Sequence, residues 1–182
     1  MYPTQFGKFV DPRATVTHFH LREGDVVADF GAGSGHYLQP LSAAVGKSGV
    51  VYACEIQKNL VDALGVKASE QRLTNIRPVW CDIESVGGTK FKDVTLDAAL
   101  LSNILFQFEQ KDVALTEIAR VVRPGGKVFV IDWTDSFGNL GPRPQDVVRE
   151  ADARTLLERA GFVCEHTFPA GDHHYGLLCH KK

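Results

Sequence analysis

Asp29-Phe30-Gly31-Ala32-Gly33-Ser34-Gly35 decides how this 182-residue chain is read, because it stands where a short apolar run, 26–30, gives way to helix formers over 36–45. Glycines at such a crossing let the backbone turn sharply and let a ligand approach the main chain without interference from a Cβ. Their spacing is G-x-G-x-G. A dinucleotide fingerprint, G-x-G-x-x-G, wants its third glycine at position 36, and His36 stands there instead. Gly46 marks the end of the helix that follows, so the segment reads as strand, tight turn, helix.

The same alternation continues outward. Strands are expected at 49–54, 77–81, 96–102 and 127–133, and helices at 59–73 and 111–122, the latter stopping at Pro124-Gly125-Gly126. Upstream, Asp11 and Pro12 read as N-cap and first-turn proline of a short helix ending near His20. Downstream, Asp152 is the expected cap of a helix to Ala160 that Gly161 ends. The segments 162–168 and 175–180, around Pro169-Ala170-Gly171-Asp172, are close enough for an antiparallel hairpin. The expected fold is α/β: a Rossmann-like doubly wound sheet of seven strands, mostly parallel with a C-terminal antiparallel hairpin and helices on both faces. Residues 1–182 read as one domain, with 1–20 an N-terminal arm and short helix.

Composition narrows the function. A net charge of −2 gives no general attraction to nucleic acid or anionic lipid, and the clusters Lys90/Lys92 and Lys181/Lys182 read as solvated surface. No apolar run approaches the length of a membrane span and no signal peptide begins the chain, so a soluble cytoplasmic protein without nucleic-acid or membrane partners is expected, monomer or homodimer. Cys54, Cys81, Cys164 and Cys179 form no CxxC pair and suggest neither zinc ribbon nor disulfide framework, so free buried thiols are expected. Among seven histidines, His18/His20 and His173/His174 have no carboxylate cluster at ligand spacing, and no functional metal is expected.

Asp29 followed by Gly31, Gly33 and Gly35 resembles the first motif of the class I S-adenosylmethionine (SAM)-dependent methyltransferases. The resemblance extends over 26–132 in order: Glu55 at the second strand end, Cys81-Asp82-Ile83 at the third, 96–103 at the fourth, and 120–127 leading into Val128-Phe129-Val130-Ile131-Asp132. It is similar to the small-molecule group that includes the quinone-biosynthesis C-methyltransferases. The resemblance implies SAM as cofactor and S-adenosylhomocysteine as product. It implies that Asp29 receives an ammonium, while the turn of Gly31, Ala32, Gly33 and Gly35 and the helix end suit a carboxylate. Glu55, about 20 residues beyond the turn, would accept both ribose hydroxyls. Ile56 and Ile83 would meet the adenine, Asp82 its amino group, and Ser102 would lie near the sulfonium.

Two departures bear on the acceptor. Ser102-Asn103-Ile104-Leu105 is not the Asn/Asp-Pro-Pro-Tyr type of motif used on exocyclic or amide nitrogens, and the loop 135–144 is short where many relatives carry a substrate cover. The aromatic residues Tyr2, Phe6 and Phe9 of the arm could supply a lid instead. A small-molecule acceptor methylated by in-line displacement is expected, with His36, Asn103 and Asp132 the catalytic candidates. The rival readings are a nicotinamide-dependent oxidoreductase, which His36 in place of glycine disfavours, and a non-catalytic SAM-binding regulatory subunit.

Overall fold

The computed structural model describes residues 10–137 and 140–182; the arm aromatics Tyr2, Phe6 and Phe9 lie outside them. In chain order the elements are α1 (Pro12–Thr17), β1 (Val26–Phe30), α2 (Leu38–Val45), β2 (Val50–Glu55), α3 (Lys58–Glu70), β3 (Ile76–Trp80), β4 (Leu96–Ser102), a 3₁₀ turn (Leu105–Gln107), α4 (Lys111–Val121), β5 (Val122–Trp133), α5 (Glu150–Arg159), β6 (Phe162–Pro169) and β7 (His174–Lys181). The strands form one seven-stranded sheet in the order β3-β2-β1-β4-β5-β7-β6. The first five are parallel, and β7 inserts antiparallel between β5 and β6. The expected seven-stranded α/β sheet with a C-terminal hairpin is the observed architecture.

Alternation along the strands splits the core into two layers. Ala28 and Phe30 of β1, Ala99 and Leu101 of β4, and Val128 and Val130 of β5 face α4 and α5, meeting Leu115, Ile118 and Leu157. Val27, Leu100, Phe129 and Ile131 point the opposite way, to Val16 of α1, Leu38, Leu41 and Val45 of α2, and Leu64 of α3. Strands apolar on both faces are what a central, doubly covered sheet requires.

Local chemistry explains most boundaries. The Asp11 carboxylate accepts from the amides of Arg13 (2.9 Å) and Ala14 (3.4 Å), capping α1 as expected. Other edges differ. Helix α2 starts at Leu38 rather than at position 36, because Gly31, Gly33 and Gly35 all take positive φ and the turn runs on to Tyr37. Strand β5 begins at Val122 and passes through Pro124-Gly125-Gly126, with a register shift against β4 between Leu96 and Ala98. Asp152 lies inside the first turn of α5 and does not cap it, since Arg149 occupies the cap position.

The cysteine reading needs one correction. Cys54 and Cys81 are free and buried, but Cys164 and Cys179 form a disulfide. The β6–β7 pairing places these two residues directly opposite each other, a juxtaposition made by strand register that spacing along the chain does not announce. Among the described residues, no helix is long and apolar enough to cross a membrane.

Candidate functional site

The strand order reverses between β1 and β4, and crevices at the carboxyl ends of strands flanking such a switch are where open α/β sheets bind ligands. Two cavities open there, and the walls of both include Gly31 and Gly33.

The first, of about 420 Å³, is lined by Gly31, Gly33 and the ends of β2 and β3: Glu55, Ile56, Cys81, Asp82 and Ile83, with Ile104 and Phe108 opposite. Glu55, 7% exposed, is held by its own loop: its carboxylate accepts from the amides of Ile56 (2.8 Å), Gln57 (3.0 Å) and, across the turn, Gly33 (3.1 Å). Those bonds fix the carboxylate at the cavity wall. Asp82 accepts from the Glu84 amide (3.0 Å) and the Ser85 hydroxyl (2.7 Å), which anchors its side chain while it lines the same cavity. Ile56 is 55% exposed, a large apolar side chain left in solvent at the cavity mouth. Burial pushes the Cys54 thiol well up, so it is a neutral wall.

The second cavity, of about 440 Å³, takes Asp29, Ala32, Ser34, His36, Tyr37, Ser102 and Asn103 from the carboxyl ends of β1 and β4. Trp133, His174, Val10 and Pro12 complete it. Asp29 is 2% exposed and its Oδ2 has no hydrogen-bond partner. Burial, with the Glu55 charge adding to it, lifts its carboxyl to about 7. An unpartnered buried carboxylate is costly and calls for a cationic partner.

The glycines serve this layout differently. A Cβ on Gly31 would strike Ile104 Cδ1, so that position is closed by packing. A Cβ on Gly33 would meet only the Gly31 carbonyl oxygen at 3.8 Å, which leaves the cavity side of the turn open to a ligand. Gly35 is barred by Leu64 and Leu38, and it packs the turn onto the core.

Every residue expected at the cofactor site except Gly35 lines one cavity or the other, with Asn103 and His36 in the second. Asp132 does neither. Its Oδ2 accepts from the Leu105 amide (2.9 Å) and its Oδ1 from the Trp133 amide (2.8 Å), so this carboxylate clamps the turn after β4 to the end of β5. Burial still lifts it to about 6 against those bonds. Tyr37, Trp133 and His174 escaped the sequence reading. Only the alternation of an apolar strand ending in Trp133 hinted at them, and His174 reaches the cavity because antiparallel pairing sets it opposite Trp133.

Residues 28–130 match a family model described as a methyltransferase domain. A ubiquinone/menaquinone biosynthesis C-methyltransferase from Hydrogenovibrio crunogenus is 32% identical over 117 residues, covering 63% of this chain and 44% of that protein. The protein of the same name from Chromobacterium violaceum is 31% identical over 129 residues, covering 70% and 51%. The chain thus spans about half the length of these curated relatives. Among solved structures, a SAM-dependent methyltransferase from Aquifex aeolicus superimposes with a TM-score of 0.86 at 28% identity, covering 94% of this chain and 89% of that one.

Proposed function

This chain belongs to the methyltransferase-domain family, and from that premise we propose that it is a single-domain, SAM-dependent methyltransferase acting on a small-molecule acceptor. The observation that carries the proposal is Asp29: a buried carboxylate with an unpartnered oxygen, beside a glycine turn whose cavity side is open at Gly33. An amino-acid tail brings an ammonium to such a group and a carboxylate to the turn amides.

The residues present suit the whole of SAM. Asp29 would hold the ammonium, and Glu55, already fixed by three amides, has acceptor capacity left for ribose hydroxyls. Asp82, Ile56 and Ile83 would bracket the adenine in the first cavity, and Ser102 would stand near the sulfonium in the wall of the second. When bound, SAM supplies a methyl group on a positively charged sulfur, already activated for displacement. The protein's own contribution is to hold a nucleophile in line and exclude water, an alignment worth roughly 7 to 11 kcal/mol. The second cavity, walled by Tyr37, Trp133, His174 and Asn103, is where the acceptor would sit, as a neighbour of the same glycine turn. The 31–32% identity to the C-methyltransferases supports a metabolite acceptor over a macromolecule.

Calorimetric titration with S-adenosylhomocysteine and with NAD tests the reading, the first expected to bind and the second not. Glu55→Ala should weaken S-adenosylhomocysteine by about 1.5 to 3 kcal/mol, the range for hydrogen bonds to a charged group. Glu55→Gln, which keeps one acceptor oxygen, enough for the Ile56 and Gln57 amides but not for Gly33 as well, should lose less than alanine. Binding of NAD alone, or undiminished affinity in a folded Glu55→Ala protein, rejects the assignment.

A further inference from the structure

The described residues contain five buried side-chain polar atoms without a hydrogen-bond partner: Asp29 Oδ2, the Tyr37 hydroxyl, Asn103 Oδ1, and both ring nitrogens of His174. All four residues line the second cavity. Buried polar groups are ordinarily satisfied, so a convergence of every exception on one cavity marks a site that lacks its ligand's polar atoms. Pairing Asp29 with an ammonium, as proposed above, leaves Tyr37, Asn103 and His174 still unaccounted for.

His174 is the most demanding of the three. It is 6% exposed and opposes Trp133 across the β5–β7 ladder, with ring centroids 4.2 Å apart. Its surroundings are built. Gly141 packs on the Trp133 indole so closely that a Cβ would come within 2.6 Å of the ring, and Phe137 stacks on His173 at 3.9 Å. His173 Nδ1 in turn lies 3.0 Å from Asp135. Short as it is, the loop after β5 is thereby pinned to the start of β7, and it holds the Trp133–His174 pair at the cavity wall.

Charge narrows what the cavity accepts. Burial first, and the neighbouring His173 second, push His174 down to about 4 despite the opposing pull of Asp135, so the ring is neutral near pH 7. The Tyr37 phenol is pushed up to about 12 by burial and is neutral as well, its hydroxyl near those of Thr15 and Ser102 without a bond of good geometry to either. No lysine or arginine stands among the described lining residues. His36 is the other imidazole of the wall, but it is exposed and faces water. With Asp29 paired to the ammonium, an anionic acceptor meets no lysine or arginine and a cationic one no free carboxylate, so neither finds a countercharge among the described lining side chains.

From the orphaned nitrogens of His174 beside Trp133, together with Asn103 and Tyr37, we infer that the second cavity binds an uncharged, hydroxyl-bearing acceptor, the hydroxyl donating its hydrogen bond to the free ring nitrogen of His174. The inference rests on the SAM reading, since it takes Asp29 to be occupied. The other ring nitrogen is protonated in the neutral tautomer and can only donate. Flat walls at Trp133, His174 and Tyr37 favour a flat molecule, which makes para-substituted benzamides suitable probes.

The test titrates three probes into protein saturated with S-adenosylhomocysteine: 4-hydroxybenzamide, benzamide and 4-hydroxybenzoate. Benzamide lacks the hydroxyl, and 4-hydroxybenzoate keeps it but adds a negative charge. In the unaltered protein 4-hydroxybenzamide should bind about tenfold more tightly than either. In His174→Ala the advantage of 4-hydroxybenzamide over benzamide should shrink to within about twofold, as a direct coupling requires, while S-adenosylhomocysteine affinity stays unchanged. His174→Gln, which retains an acceptor oxygen, should recover part of the advantage and serves in its own right should the alanine variant not fold. Undiminished preference for the hydroxyl in the variants, equal or tighter binding of 4-hydroxybenzoate, or no binding of any probe overturns the inference. Failure to bind S-adenosylhomocysteine itself would instead bring down the reading beneath it.

Discussion

Asp29→Asn separates the two roles of one carboxylate, its cost to the fold and its use to a ligand. The group ionises near 3.8 when free and near 7 in the folded protein, where burial and Glu55 oppose its charge. Between those values the folded chain keeps a proton that the unfolded chain has released, so stability is greatest below about pH 4 and drains away as pH rises to 7. Each unit corresponds to about 1.36 kcal/mol and the slope tapers at the folded midpoint, so between pH 5 and 7 the loss is about 2 kcal/mol. Asparagine has the same shape and does not titrate. The unliganded variant should therefore gain on the parent as pH rises from 5 to 7, by about 2 kcal/mol or about 4 to 8 °C of melting temperature for a chain of this size. Above about pH 8, one unit past the folded midpoint, the gap should stay constant. Saturating S-adenosylhomocysteine should close or reverse it, because the variant lacks the charge that an ammonium requires. Thermal melts of both proteins from pH 5 to 9, with and without S-adenosylhomocysteine, measure all of this. Melting curves that run parallel across that range would refute the burial argument, and equal stabilisation by the ligand in both proteins would refute the ammonium assignment.

Two further outcomes follow from buried carboxylates elsewhere. Glu117 accepts from the amides of Gly87 and Thr89, the Thr89 hydroxyl and the Arg120 guanidinium, tying the loop after β3 to α4. Burial alone would raise its carboxyl, but these bonds outweigh it and hold the group at about 2. Glu117→Gln should cost about 1 to 3 kcal/mol near neutrality, because the change removes the charge-assisted bonds to Arg120 and leaves Asp93 as the carboxylate paired with that guanidinium. The parent's advantage exists above about pH 4.5 and is lost as pH falls toward 2, so denaturant titrations should show the gap narrowing there; a pH-independent difference would mean that charge is not the cause. Asp132→Ala should destabilise the chain by about 2 to 4 kcal/mol and speed amide exchange at Leu105 and Trp133, whose N–H groups lose their acceptor. A variant as stable as the parent but devoid of turnover would instead make Asp132 a chemical participant.

The sequence by itself determined the layers and one side of the site. Apolar runs between helix-period segments dictate a covered sheet, because residues alternating in a strand must bury both faces. Asp29, the glycine turn, Glu55 and Asp82 were legible as positions for the same reason: they sit at strand ends beside local turns, and the roles proposed for them come from the resemblance to the methyltransferase family. What only the tertiary structure decided depends on strands pairing across long stretches of sequence. The placement of β7 between β5 and β6 sets Cys164 opposite Cys179 and His174 opposite Trp133. No spacing rule predicts either contact, since register arises from the packing of the whole sheet. Burial likewise separates three carboxylates: Asp29 is left unpartnered in a cavity, Glu117 is bound by a guanidinium, and Asp132 is taken up by backbone amides. The side chain is nearly the same in each, and the desolvation and the donors around it decide which one is available to a ligand.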